Sequence, residues 1–166
     1  MNHPGHRRLV VALSLAVAAC TAPGPTDRQD AEVTRVYDGD TIEVVFNGAR
    51  ERVRYIGIDT PEFDDDRAAI RELARLATDA NRDLVGGRIV QLEFDRERRD
   101  RYGRLLAYVS IGDTLVNEWL VRRGFAEARD YPPNTRHQGR LDAAEREARN
   151  ANLLLWDGRL AGRRLR

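Results

Sequence analysis

The sequence predicts an α+β fold dominated by a small closed β-barrel, and three observations predict it. β-branched residues recur at strand spacing from Glu32 onward, the dipeptides Asp38-Gly39 and Asn47-Gly48 punctuate that run as turns, and one long helical stripe separates it from two further strand-like segments. At 166 residues the chain has room for one domain with one core.

Val33, Val36, Ile42, Val44, Val45, Val53, Tyr55, Ile56 and Ile58 place a three-stranded meander at about 32–37, 40–47 and 50–58. A helix over about 66–85 follows, with Ile70, Leu73, Ala77, Ala80 and Leu84 on one stripe. Asp64, Asp65 and Asp66 are expected to cap it and complement its dipole, and Gly86-Gly87 to end it. Residues 88–95 and 104–111 read as two more strands joined by a charged loop. Asp113 is expected to cap a short helix that turns Leu115, Val116, Trp119 and Leu120 inward and stops at Gly124. After Pro132-Pro133, a last helix over about 135–151 carries Leu141, Ala144 and Ala148 on its inner face, and Leu153 to Trp156 seal the core. Five short strands, a helix inserted between the third and fourth, and about three helices in all describe a five-stranded, OB-fold-like Greek-key barrel. In such a barrel Asp40, opening the second strand, and Asp59 and Thr60, leaving the third, come to the same end.

The N-terminus is expected to direct export. Arg7 and Arg8 precede an apolar run, Leu9 to Ala19, which is too short to span a bilayer at roughly 20 residues and fits a signal peptide. Val17-Ala18-Ala19-Cys20 resembles a bacterial lipobox, which makes Cys20 the expected lipidation site and a membrane anchor; cleavage after Ala16-Val17-Ala18, releasing a periplasmic or secreted protein, is the alternative. The mass of the mature N-terminus distinguishes the two. The expected organisation is a signal peptide at 1–20, a flexible tether at 21–30, a domain at 31–156 and a mobile basic tail at 157–166.

Composition narrows the chemistry. Positive and negative side chains nearly balance, 28 against 27, so attraction to a polyanion has to come from local clustering. All the basic residues other than histidine are arginines, which removes Schiff-base chemistry and suits bidentate contacts to phosphate. Cys20 is the only cysteine, and His3 and His6 lie near the start, leaving His137 alone in the body, where it reads as a surface histidine near a helix start. There is no thiolate or imidazole cluster for zinc and no Ser-His or Cys-His pair. An enzyme built on this chain runs on carboxylates, arginines and a hard metal ion.

Three stretches supply those groups: Asp38-Gly39-Asp40-Thr41, Arg54 with Asp59-Thr60-Pro61-Glu62, and Asp100-Arg101-Tyr102-Gly103-Arg104. Arg54, within a strand of apolar neighbours, requires an anion beside it. Taken singly, Asp40 reads equally as a turn residue, Glu62 as a helix cap, Tyr102 as a hairpin corner and Tyr131 as a tyrosine packed at a loop. Together with Ala107-Tyr108, Val116-Asn117-Glu118 and Leu120-Val121-Arg122, and in this order, the stretches resemble the staphylococcal nuclease (thermonuclease) family over about residues 32–156.

That resemblance implies calcium-dependent hydrolysis of DNA and RNA with little sequence preference, leaving 3'-phosphate ends and favouring single-stranded or frayed substrate. It implies Asp40, Asp59 and the Thr60 carbonyl as calcium ligands, Glu62 as activator of the attacking water, Arg54 and Arg104 as phosphate-gripping catalytic residues, and Tyr102 and Tyr131 as substrate contacts. A monomer is expected. The loop after Glu62 departs from the family pattern, being the short acidic Phe63-Asp64-Asp65-Asp66 where lysines are usual, which leaves open an added metal ligand there. Two other readings remain at this point: a barrel of the same fold that binds nucleic acid without cleaving it, and an envelope lipoprotein that binds another ligand.

Overall fold

The computed structural model describes Met1 and residues 28–158. The expected signal segment with Cys20, residues 21–27 of the expected tether and residues 159–166 of the expected tail lie outside the described residues. No helix among those described is long and apolar enough to cross a membrane.

Strand β1 (Arg28–Val36) begins inside the expected tether. Its first residues are polar, so period-2 patterning could not reveal them. They are ordered by pairing antiparallel with β5 (Ile89–Glu93), from Arg28 opposite Glu93 to Glu32 opposite Ile89. The other edge of β1 pairs with β2 (Thr41–Phe46), with an irregularity between Val33 and Arg35, and β2 makes a tight hairpin with β3 (Ala49–Tyr55) through Asn47-Gly48. β5 pairs antiparallel with β6 (Leu105–Ile111), and β6 runs parallel to β3 with Val53, Arg54 and Tyr55 opposite Leu105, Leu106 and Ala107. That last pairing closes five strands into a barrel. Fully buried Val33, Ile42, Val44, Val53, Leu92 and Val109 fill its interior.

The third strand ends earlier than expected. It stops at Tyr55, Gly57 turns the chain at φ +77, and Ile58–Asp59 form a separate strand, β4, paired with β8 (Glu127–Ala128) in a two-stranded sheet. A Cβ at Gly57 would lie 2.5 Å from Leu141 Cδ1, so a side chain there meets both positive-φ strain and a clash. The break takes Asp59 out of the barrel sheet and into β4, from which its carboxylate meets Arg54 of β3.

Helix α1 (Ala68–Val85) fits between β4 and β5, burying Ile70, Leu73 and Ala77 and ending at Gly86. It starts later than expected and its aspartates do not cap it. The N-cap is Arg67, with no side-chain cap and no acid in the first turn, because Asp65 accepts instead from the Arg67 backbone N–H and guanidinium. Asp113 is likewise not a cap. It sits in the turn from β6 to β7 (Thr114–Leu115), and α2 (Val116–Arg122) starts directly after that short strand. Val116 and Leu120 are buried, while Trp119 is partly buried and stacks on Phe125. Helix α3 (Gln138–Asn150) buries Leu141, Ala144 and Ala148, and Leu155 joins Ile70 and Leu73 in a small second cluster.

His137 is not a surface residue. It occupies the N-cap position of α3 with its ring edge-on to Tyr108, and its Nε2 lies 3.0 Å from the buried Glu93 carboxylate. The sequence placed it correctly near a helix start and gave no sign of the acidic partner 44 residues away.

Candidate functional site

The turn from β1 to β2 carries the first carboxylates. Asp38 Oδ1 accepts the Asp40 backbone N–H at 2.9 Å, an Asx turn that aims the Asp40 side chain inward. The turn is pinned from below by α1. Asn81, fully buried, donates to the Asp38 carbonyl at 3.0 Å and accepts from the Tyr55 hydroxyl at 3.0 Å. Nothing in the helical stripe marks Asn81 as more than another polar position, so sequence reasoning missed it. Gly39 permits the close approach: a Cβ there would lie 2.7 Å from Thr60 Cγ2 and 2.9 Å from Ala77 Cβ.

Asp40 is buried, and its Oδ2 accepts from both the backbone N–H and the hydroxyl of Thr60, each at 2.9 Å. These two bonds join the β1–β2 turn to the chain leaving β4. Arg54 lies between the carboxylates as the sequence required of it, with Nη1 3.1 Å from Asp40 Oδ2 and Nη2 2.9 Å from Asp59 Oδ1. Its Nη1 also donates to the carbonyls of Tyr55 and Ile58, both at 3.0 Å. The end of the guanidinium is thus committed to protein oxygens. The Nε–H has no protein partner among the described residues. Burial pushes the Asp40 carboxyl up to about 7 against the opposing pull of Arg54, with the negative charge of Asp38 adding to the rise.

Asp59 is only half-buried, and its second oxygen is held by Arg129 Nη1 at 2.9 Å. Arg129 is a further residue the sequence did not disclose. It follows β8, whose pairing of Ile58 with Ala128 and Asp59 with Glu127 brings it to the site across 70 residues. Glu62 is exposed as a residue and has no hydrogen-bond partner among the described residues. Desolvation of its carboxyl, reinforced by the charges of Asp38 and Asp59, raises it above the usual carboxylate range. Asp65 is tied to Arg67 and held down to about 2, chiefly by that guanidinium, while Asp64 and Asp66 stay exposed beside it.

Arg104 approaches from β6. The β3–β6 register sets Arg54 opposite Leu106, so Arg104, two residues earlier, shares the outer face with Arg52 and Arg54. Asp100 Oδ2 accepts its Nε–H at 2.7 Å, and neither Nη group has a hydrogen-bond partner among the described residues. Tyr102 is 68% exposed, with the Arg104 guanidinium 5.6 Å from its ring centre; these two residues, Gly103 and Arg52 line an open recess. Tyr131 is partly buried against the core, and no hydrogen bond or ring contact among the described residues joins it to Tyr102 or Arg54.

The oxygen donors fit a hard cation in kind. Asp40 Oδ1 accepts only from the Thr41 hydroxyl, at 3.2 Å, among the described residues, and a buried carboxylate pushed toward neutral pH gains from added positive charge. No group of three or more His, Cys, Asp or Glu side chains is placed to hold a metal among the described residues. The two aspartates would therefore need a backbone carbonyl, water and substrate oxygens to complete a coordination shell, which is the open arrangement a catalytic site requires.

Comparison with known proteins agrees with this arrangement. The model of the staphylococcal nuclease homologue family matches residues 52–158. A thermonuclease of Staphylococcus intermedius is 40% identical over 125 residues, covering 75% of this chain and 74% of that protein. A thermonuclease of Staphylococcus hyicus is 35% identical over 158 residues, 89% of this chain and 94% of that one. The endonuclease YncB of Bacillus subtilis is 41% identical over 124 residues, 74% of this chain and 59% of its own length.

Proposed function

This chain belongs to the staphylococcal nuclease family, and on that premise we propose that it is a thermonuclease-like endonuclease, hydrolysing phosphodiester bonds of DNA and RNA in a calcium-dependent reaction that leaves 3'-phosphate ends. The observation that carries the reading is the guanidinium of Arg54, locked between Asp40 and Asp59 with its Nε–H left for an anion.

A non-bridging oxygen of a phosphodiester can accept that Nε–H in a charge-assisted hydrogen bond. The Nη groups of Arg104 grip from the neighbouring strand, so the two arginines share the charge that grows on the non-bridging oxygens as water attacks phosphorus. Glu62, unencumbered by hydrogen bonds and with its proton affinity raised, takes the proton of the attacking water. The 5'-oxygen departs and the 3'-oxygen keeps the phosphate. Asp40, Asp59 and the Thr60 carbonyl would hold the calcium ion, which when bound supplies Lewis acidity toward a phosphate oxygen. The exposed ring of Tyr102 offers a stacking face to an unpaired base, which favours single-stranded substrate and little sequence preference.

The test is incubation of purified protein with denatured DNA, with calcium and then with a chelator, followed by end analysis of the products. Chelator-sensitive cleavage that leaves ends labelled by a 5'-hydroxyl kinase is expected. Strand binding with no cleavage in calcium would reassign the domain as a binding module.

A further inference from the structure

We propose that the outer face of β1 to β3 carries a second nucleic-acid subsite, a strip formed by Arg35, Tyr37 and Arg52, which holds the single-stranded substrate beyond the cleavage centre. The proposal rests on the nuclease reading and adds a part of the surface that reading does not use.

The guanidinium of Arg35 lies 4.7 Å and that of Arg52 4.6 Å from the centre of the Tyr37 ring. The ring is itself fixed, because Tyr37 N–H donates to the Thr41 carbonyl at 3.0 Å and its hydroxyl donates to Glu43 Oε2 at 3.2 Å. Neither arginine forms an ion pair among the described residues. Their neighbours do: Arg50 is matched by Glu43 at 2.8 Å and Arg99 by Glu51 at 2.7 Å. Glu43 stands opposite both Arg35 and Arg52 in the β1–β2–β3 register with its carboxylate taken by Thr34, Tyr37 and Arg50, so Arg35, Arg50 and Arg52 meet one acid and a net positive charge remains where an aromatic ring holds it flat. A guanidinium laid on a ring keeps its N–H edge for phosphate oxygens and its outer face for a base.

The strip is continuous with the site. Val53 between Arg52 and Arg54 is fully buried, so both arginines project outward from β3, about 6.6 Å apart along the strand. Arg52 also lines the recess that Tyr102, Gly103 and Arg104 share. Beyond it the motif repeats, since Arg101 lies 4.7 Å from the Tyr102 ring centre and is likewise without an ion pair among the described residues. A strand gripped at Arg54 and Arg104 can therefore run over Arg52 to Tyr37 and Arg35 with guanidinium and aromatic groups beneath it throughout.

The experiment compares the full chain with Arg35→Ala/Arg52→Ala, using a thymidine oligonucleotide of about 30 nucleotides, longer than the roughly 4–16 an OB fold covers, against a dinucleotide ester. The ratio of kcat/KM for the long substrate to that for the short one is expected to fall about tenfold or more, and the salt dependence on the long strand to flatten by about 0.7 per lost phosphate contact. Arg35→Lys/Arg52→Lys, which keeps the charge but loses the stacked planar fork, is expected to restore the salt slope and only part of the ratio. An unchanged ratio and salt slope in the alanine pair, or a lysine pair whose salt slope is as flat as that of the alanine pair, overturns the subsite. If the wild type cleaves neither substrate, the nuclease reading fails and the strip is judged by binding of the labelled oligonucleotide in chelator: weaker, less salt-dependent binding by the alanine pair supports it, and equal binding overturns it. Both arginines are exposed, and circular dichroism melts of each variant check that the fold is kept.

Discussion

Glu62 and Arg54 stand in one site under opposite structural constraints, and this decides which of them is the cleaner probe. Arg54 bonds to two carboxylates and two backbone carbonyls, so replacing it leaves the buried Asp40 carboxylate without its counter-ion and damages the fold as well as the chemistry. Glu62 bonds to nothing described and is exposed. Glu62→Gln preserves shape while removing the negative charge and the capacity to accept a proton. It is expected to lower kcat by about 10²–10⁴-fold, the usual range for general-base catalysis, while the melting temperature stays within experimental scatter. Steady-state rates and a thermal melt on the same preparation check this; wild-type turnover in the variant would remove Glu62 from the reaction.

At the scale of elements, the site exists because three strand ends and one helix are fastened at the β1–β2 turn, and Gly39 is the narrowest point of that fastening. Gly39→Ala forces a methyl group against the side chain of Thr60 and the Cβ of Ala77 in α1, both of them held rather than free to swing. The expected cost is about 1–3 kcal/mol of stability, as for other overpacked sites, and urea unfolding measures it; a stability equal to wild type would mean the turn yields without strain. How far such features could be read in advance depends on their range. The Asn47-Gly48 hairpin, the α1 stripe and the need of Arg54 for an anion are local, and all three were legible. The first residues of β1, the detachment of β4, the role of Asn81 and the arrival of Arg129 at Asp59 depend on pairings between segments far apart in the chain. No periodicity or spacing encodes those contacts. The acidic loop misled for a related reason: the dipole argument placed Asp64–Asp66 on the helix, whereas a two-residue hydrogen bond from Arg67 to Asp65 was the nearer competitor.

Across the whole molecule, the end of the barrel built from β1, β5 and the entry to α3 is drawn together by one buried carboxylate. Glu93 accepts from Arg28 at the start of β1 at 3.3 Å and from Arg136 at 3.0 Å, and meets His137 Nε2 at 3.0 Å; Tyr108 packs on the histidine and Asp95 shares Arg136. Burial works to raise its pKa, but the hydrogen bond from Arg136 and the contacts with His137 outweigh it, and the net shift is below the ordinary 4.5. A carboxylate with a depressed folded-state pKa contributes stability above its unfolded value and loses it as pH falls through the folded value. The contribution of Glu93 is therefore complete at neutral pH and disappears in acid below about 4.5. Arg28 and Arg136 are themselves 35% and 42% exposed, so solvent screens their charges and the hydrogen bonds to the buried carboxylate dominate. Glu93→Gln is expected to cost about 2 kcal/mol at pH 7, in the range for hydrogen bonds to a charged group, and progressively less in acid. Chemical unfolding of both proteins at neutral pH and again below the wild-type acid transition measures the difference. A gap between them that stays constant with pH would show that Glu93 holds the barrel by packing alone, and that its charge is not what ties β1 to the entry of α3.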